Sequence, residues 1–260
     1  MPVDFIFDLP AAGIFATVFA TVAVIALLLH LFLCLPRVAK RAARLSDVSP
    51  TMITVCGALF GLSVTFLANS VWNTEDQARE AVSGEARAIR VMEVYLDATQ
   101  EPPHTDLYRM LAEYGQGVAQ EWNSMANGAS GTGAQAEQSL RDIYSAVIRD
   151  VSHGDQDRLL QQRLLVELDA LSIARQQRLS IAQDVVSFPQ WVLVMGLGLL
   201  LMIMVAINHA PFPLARSVAL AAVTLAVSFM LFVIVQHDRP FRGDTALRPD
   251  SILNAAGAEG

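Results

Sequence analysis

Long apolar runs and polar ground alternate along this chain of 260 residues in a two-and-two arrangement. The runs cover about Ala11 to Leu35, Thr51 to Trp72, Phe188 to Asn208 and Phe212 to Gln236. Each supplies the roughly 20 apolar residues needed to cross a hydrocarbon core of about 30 Å. None contains Asp, Glu or Lys, and Arg216 stands at the very start of the fourth. A buried soluble helix of such length carries a polar stripe. The pattern therefore predicts an all-α, polytopic membrane protein with four transmembrane helices.

Between the second and third runs the pattern turns amphipathic at helical spacing. Val71, Glu75, Ala78, Val82, Ala86, Ile89 and Leu96 continue the second membrane helix into water without a breaker, until Pro102 and Pro103 stop it. Leu107, Leu111, Tyr114, Val118 and Trp122 mark a further helix, and the stretch Asn127 to Ala134 reads as a flexible link. Leu140, Ile143, Tyr144, Val147 and Val151 mark another helix, ending near His153 and Gly154. Leu160, Leu164, Leu168, Leu171 and Ala174 then lead through Ile181 towards Pro189, which kinks the third membrane helix or marks its first turn. The expected organisation is a first transmembrane hairpin over 1–72, an acidic soluble helical bundle of about four helices over 73–187, a second hairpin over 188–236, and a short C-terminal tail over 237–260. The outer two bundle helices, rooted in one membrane face, are expected to pack antiparallel.

Composition sharpens this picture. The residues before Pro10 carry Asp4 and Asp8 and no base, unlike a signal peptide, which begins basic. Cys34 and Cys56 both lie in apolar runs and read as packing residues. Lys40 is the only lysine, and with abundant Ala the Arg-rich usage suggests a GC-rich bacterial genome. The net charge of −7 is uneven, because residues 73–187 hold ten Arg against eighteen Asp plus Glu, about −8. Nucleic acid is excluded as a partner by that balance, since phosphate binding needs a basic surface. Arg37, Lys40, Arg41 and Arg44 follow the first membrane helix and place that end inside, hence the bundle in the periplasm of a bacterial inner membrane. Arg239, Arg242 and Arg248 argue the opposite way.

The second membrane run is the candidate for function. Thr54, Gly57, Gly61, Thr65, Ala68, Asn69 and Trp72 lie close to one helical face. Gly57 and Gly61 form a GxxxG pair that admits another backbone, and the polar members either bond across such a contact or face water in a pore. The other face, with Phe60, Val64 and Leu67, offers an apolar constriction of the dewetting kind. The fourth run repeats the small-polar theme in Ser217, Ala221, Thr224 and Ser228, as a packing signal. His30 reads as an interfacial or hydrogen-bonded histidine. No intramembrane Asp, Glu or Lys is available for an ion-coupled relay. The five histidines are dispersed, and no HExxH, GxSxG, P-loop or dinucleotide fingerprint occurs. Neither an enzyme nor a cofactor or metal site is expected.

Gly61-Leu62-Ser63 through Phe66, Asn69 and Trp72, the continuation Ala78 to Ala86, and the tail motif Asp238-Arg239-Pro240-Phe241 together resemble the bacterial bestrophin-like membrane proteins from end to end. That resemblance implies kinship with bestrophins, pentameric ion channels whose second membrane helix lines the pore, and so points to Thr54 to Trp72. The chain departs from bestrophins in reading NTEDQARE over Asn73 to Glu80, where they carry a basic stretch with consecutive tryptophans. It also lacks a counterpart of the animal calcium clasp, and bestrophins hold their insert in the cytoplasm. The leading expectation is a homo-oligomeric ion channel in contact with membrane lipids, with an acidic vestibule favouring small cations. The rival is a sensory or scaffolding membrane protein acting through a separate protein partner.

Overall fold

Proline and capping chemistry decide where the membrane helices begin. The computed structural model describes residues 9–45, 49–98, 105–126, 133–149, 155–183, 186–243 and 245–258. Among them lie nine helices: α1 (Ala11–Phe32), α2 (Pro36–Ala43), α3 (Ser49–Asp97), α4 (Thr105–Ala126), α5 (Ala134–Arg149), α6 (Asp155–Gln183), α7 (Phe188–Asn208), α8 (Pro213–His237) and α9 (Asp250–Ala255). No strand occurs among the described residues. α1, α3, α7 and α8 are long and apolar enough to cross a membrane. The expected stops at Pro102 and Pro103, the link from Asn127, and the helix end near His153 and Gly154 lie outside the described residues.

The chain forms two compact units. The first comprises Met1–Asn73, Val186–Arg239 and Gly243–Thr245. α1 ends where Leu35, preceding Pro36, takes an extended ψ of 123°, because a residue before proline is pushed out of the α region. α7 starts at the Ser187-Phe188-Pro189-Gln190 turn. The Gln190 side-chain oxygen accepts from the Ser187 backbone N–H at 3.0 Å and from its hydroxyl at 2.9 Å. Pro189 thus marks the first turn of α7, where its missing N–H matters least. α8 packs against α1 and α7. The unit's core joins Val22 and Ala26 of α1, Phe60, Val64, Leu67 and Val71 of α3, Val194, Met202 and Val205 of α7, and Leu220, Val227 and Leu231 of α8. Outside that core Leu28, Phe66, Val192 and Leu214 are more than half exposed, an apolar exterior suited to lipid.

α3 is unbroken for 49 residues, a rod of about 70 Å. No proline interrupts it after Pro50, and its polar second half keeps the helical apolar spacing. The second unit comprises Thr74–Val185, Pro240–Arg242 and Ala246–Gly260. Its core gathers Val82, Ile89 and Met92 of α3, Leu111, Tyr114 and Val118 of α4, Ile143 of α5, Leu168 and Leu171 of α6, and Phe241 and Ile252 of the tail. Two glycines set its closest helix contacts. A Cβ on Gly117 of α4 would meet the Ala136 backbone nitrogen of α5 at 2.6 Å, and one on Gly115 would meet Ala256 and Ala258 at 2.8 Å. The tail therefore belongs to the body of this unit.

Candidate functional site

α3 presents two different faces within the first unit. Phe60, Val64, Leu67 and Val71 recur every three or four residues and are buried, as one helical stripe must be when it packs on neighbours. Phe60 is seated against α7, where a Cβ on Gly198 would come to 3.2 Å from its ring. Phe60, Val64 and Leu67, read from the sequence as a candidate apolar constriction, are here part of the core of the first unit.

The rest of the predicted stripe stays open. Thr54, Thr65, Asn69 and Trp72 are exposed, and Gly57 and Gly61 are partly so. A Cβ on Gly61 would meet nothing within 4 Å, and one on Gly57 would touch only Leu201 at 3.8 Å. Among the described residues no other helix closely approaches the GxxxG pair. Thr65 donates its hydroxyl to the Gly61 carbonyl at 2.8 Å and Thr54 donates to Pro50 at 3.3 Å. Such back-bonding satisfies the donor while leaving oxygen lone pairs outward. Thr54, Gly61, Thr65, Asn69 and Trp72 thus form a mildly polar strip that the fold of this chain leaves free.

The tail motif has structural tasks. Asp238 accepts from the Val186 backbone N–H at 3.0 Å, which ties the end of α8 to the start of α7. The Pro240 carbonyl accepts from Leu247 N–H at 2.8 Å. Phe241 is buried edge-on against Trp122, with ring centroids 5.3 Å apart, a favoured aromatic geometry. The Trp122 indole N–H donates to the Leu247 carbonyl at 3.0 Å. Arg239, the second residue of the motif, is partly buried.

The second unit contains a charged cluster that the apolar pattern did not reveal. Glu85 of α3 and Arg178 of α6 are both 0% exposed. Arg178 donates through Nε to Glu85 Oε2 at 2.8 Å and through Nη2 to Glu121 Oε2 at 2.8 Å. Arg175 pairs with the other Glu121 oxygen and donates to the Gly133 carbonyl at 3.1 Å. Tyr114 donates its hydroxyl to Glu85 at 2.5 Å, and the Trp122 ring lies 5.1 Å from the Arg178 guanidinium. Two carboxylates thus balance two guanidiniums. Burial opposes the Arg178 charge, but Glu85 beside it prevails and raises its pKa. Burial, then Glu85, pushes the Tyr114 phenol well above its ordinary range. A signal was present in the sequence: Arg175 and Arg178 fall at core spacing between Leu171 and Ile181.

Arg216, at the start of α8, is 1% exposed and meets no carboxylate among the described residues. It donates instead to the Leu33 and Ala210 carbonyls at 3.4 and 3.3 Å, and to His30 Nδ1 at 3.4 Å. Carbonyls at helix C-terminal ends carry partial negative charge, so one guanidinium closes the ends of α1 and α7. His30 is accordingly a hydrogen-bonded histidine. No group of three or more potential metal ligands occurs among the described residues.

The Bestrophin-like domain family matches residues 16–252. Comparison with curated proteins finds no match. Among solved structures, a bacterial Bestrophin homolog from Klebsiella pneumoniae, solved by zinc anomalous phasing, is similar with TM-score 0.65 and 11% identity, over 92% of this chain and 99% of that one. A variant of the Klebsiella pneumoniae homolog gives TM-score 0.66 and 12% identity over 92% and 95%. At such identity these likenesses speak for the fold.

Proposed function

The chain belongs to the Bestrophin-like family, and from that premise we propose that it is a homo-oligomeric ion channel whose α3 helices surround the conduction path. The observation that carries this reading is the open strip Thr54, Gly61, Thr65, Asn69 and Trp72. It is a mildly polar, small-residue face of the apolar half of α3, and the described residues leave it uncovered. A ring of such helices places hydroxyls and amides around water, as channels require, while Phe60, Val64 and Leu67 anchor each helix to its protomer. In this reading the acidic second unit forms a vestibule, and its charge of about −8 over residues 73–187 concentrates cations and repels anions.

In this reading the bases after α1 outweigh Arg239, Arg242 and Arg248 and keep that end in the cytoplasm, so that residues 74–185 lie in the periplasm. A membrane-impermeant thiol reagent added outside intact spheroplasts should label Ser145→Cys; labelling only after lysis would reverse the orientation. Purified protein in planar bilayers should show discrete cation currents that change in Asn69→Leu. A well-folded oligomer that passes no current would sink the proposal and favour a sensor or scaffold. A sensor or scaffold would need a separate partner, and Phe241, Ile252, Ala255 and Ala256 of the tail, buried in the second unit, are not free to reach one.

A further inference from the structure

We propose that α2 and the apolar residues flanking it form a docking surface for the headgroups of anionic phospholipids. This goes beyond the channel reading and rests only on α1 crossing the membrane. α2 starts at Pro36, after just three residues beyond the end of α1. Three extended residues reach at most about 11 Å, so α2 is held in or beside the headgroup layer. Its inner side, Val38 and Ala42, packs on the core of the first unit. Arg37, Lys40, Arg41 and Arg44 are exposed, and none is paired with a carboxylate among the described residues. Asp238 is the only carboxylate among the described residues of that unit, so no described carboxylate pairs with these four neighbouring bases.

The bases are flanked by exposed apolar side chains that water alone would not favour. Leu31, Phe32, Leu35 and Leu45 are 52–57% exposed. Arg216 ties the end of α1 to the α7–α8 turn, and that turn adds Phe212 and Leu214, 68% and 80% exposed. Bases flanked by exposed leucine and phenylalanine at the end of a membrane crossing match a headgroup layer: the rings and stems enter the acyl boundary, and the charges meet phosphates. Each base near an anionic surface favours association about fivefold, in a salt-dependent manner.

Spin-labelled phosphatidylglycerol and phosphatidylcholine in nanodiscs carrying the full-length protein test this directly. The wild type should hold phosphatidylglycerol at least about fivefold more strongly at low salt. That preference should collapse at about 1 M salt, where the Debye length is about 3 Å. In the quadruple variant Arg37→Gln, Lys40→Gln, Arg41→Gln, Arg44→Gln the two lipids should approach parity, while Arg149→Gln in the second unit leaves the preference intact. Inorganic phosphate at matched ionic strength should not displace the lipid; displacement would mark a soluble-anion site and overturn the assignment. A wild-type preference indifferent to salt, or retained by the quadruple variant, would overturn it too, and the salt arm needs no variant to fold.

Discussion

Neutralising Glu85 is the sharpest perturbation of the buried network. Glu85 accepts from Arg178 Nε at 2.8 Å, from Arg178 Nη2 at 3.2 Å and from Tyr114 at 2.5 Å, all at 0% exposure for Glu85 and Arg178. Glu85→Gln keeps the shape and removes one charge, leaving Arg178 and Arg175 to share Glu121 alone. Breaking a buried ion pair from one side costs about 3–5 kcal/mol, because the remaining charge stays desolvated. For a unit of this size that lowers the melting temperature by roughly 10–20 °C. Arg178→Met alone should be comparably harmful. The double variant removes one charge of each sign and leaves Glu121 with Arg175, so its loss should fall short of the sum by about 2 kcal/mol or more. Hydrogen exchange at α4 and α6 amides of the full-length protein in mild detergent reads this locally, with circular dichroism giving the melt. Strict additivity of the two single losses, or unchanged protection in Glu85→Gln, would refute the claim that the charges act as one unit.

Phe60→Ala should weaken the first unit by about 3 kcal/mol, whereas Asn69→Leu should leave its stability within about 0.5 kcal/mol; thermal unfolding of both in one detergent separates the packing face from the open one. Gly117→Val should disrupt the α4–α5 contact and lose more than about 2 kcal/mol, because even a Cβ meets Ala136 nitrogen at 2.6 Å; melts of this variant beside the exposed control Gln116→Ala check it. Tyr108 is pushed from the usual 10.0 to about 12 by burial and by its hydrogen bond to Asp97, and Tyr114 is raised as well. Since the folded values exceed the unfolded one, the stability these phenols lend is whole below pH 10 and is lost as pH climbs towards and past 12. Absorbance titration at alkaline pH should show late phenolate formation, advanced by unfolding and reduced in Tyr108→Phe; ionisation of Tyr108 near 10 in the folded protein would contradict the assigned environment.

The four membrane runs and the unbroken course of α3 were legible because apolar length and helical period are local properties of sequence. The open strip on α3 was legible as a stripe, but its exposure was not. Whether Gly57 and Gly61 meet another helix depends on where α7 stands, and α7 comes close at Phe60 while only Leu201 reaches Gly57 and nothing reaches Gly61. The Glu85–Arg178–Glu121–Arg175 cluster was hidden because its members come from three helices separated by up to 93 residues. Charges at core spacing were visible one by one, yet periodicity treats each as a solvated residue. The tail seemed an appendage because Phe241, Ile252 and Ala256 are few and widely spaced. Their burial follows from what they meet on α4, Trp122 and Gly115, which no local rule connects to them.

Cysteine accessibility under voltage puts the central claim most directly at risk. In a background lacking Cys34 and Cys56, single-channel currents of Thr65→Cys and Asn69→Cys should be blocked by a cationic, water-soluble thiol reagent, and currents of Phe60→Cys should not. Block at Phe60→Cys with silence at Thr65→Cys and Asn69→Cys, or folded oligomers that carry no current at all, would contradict the account.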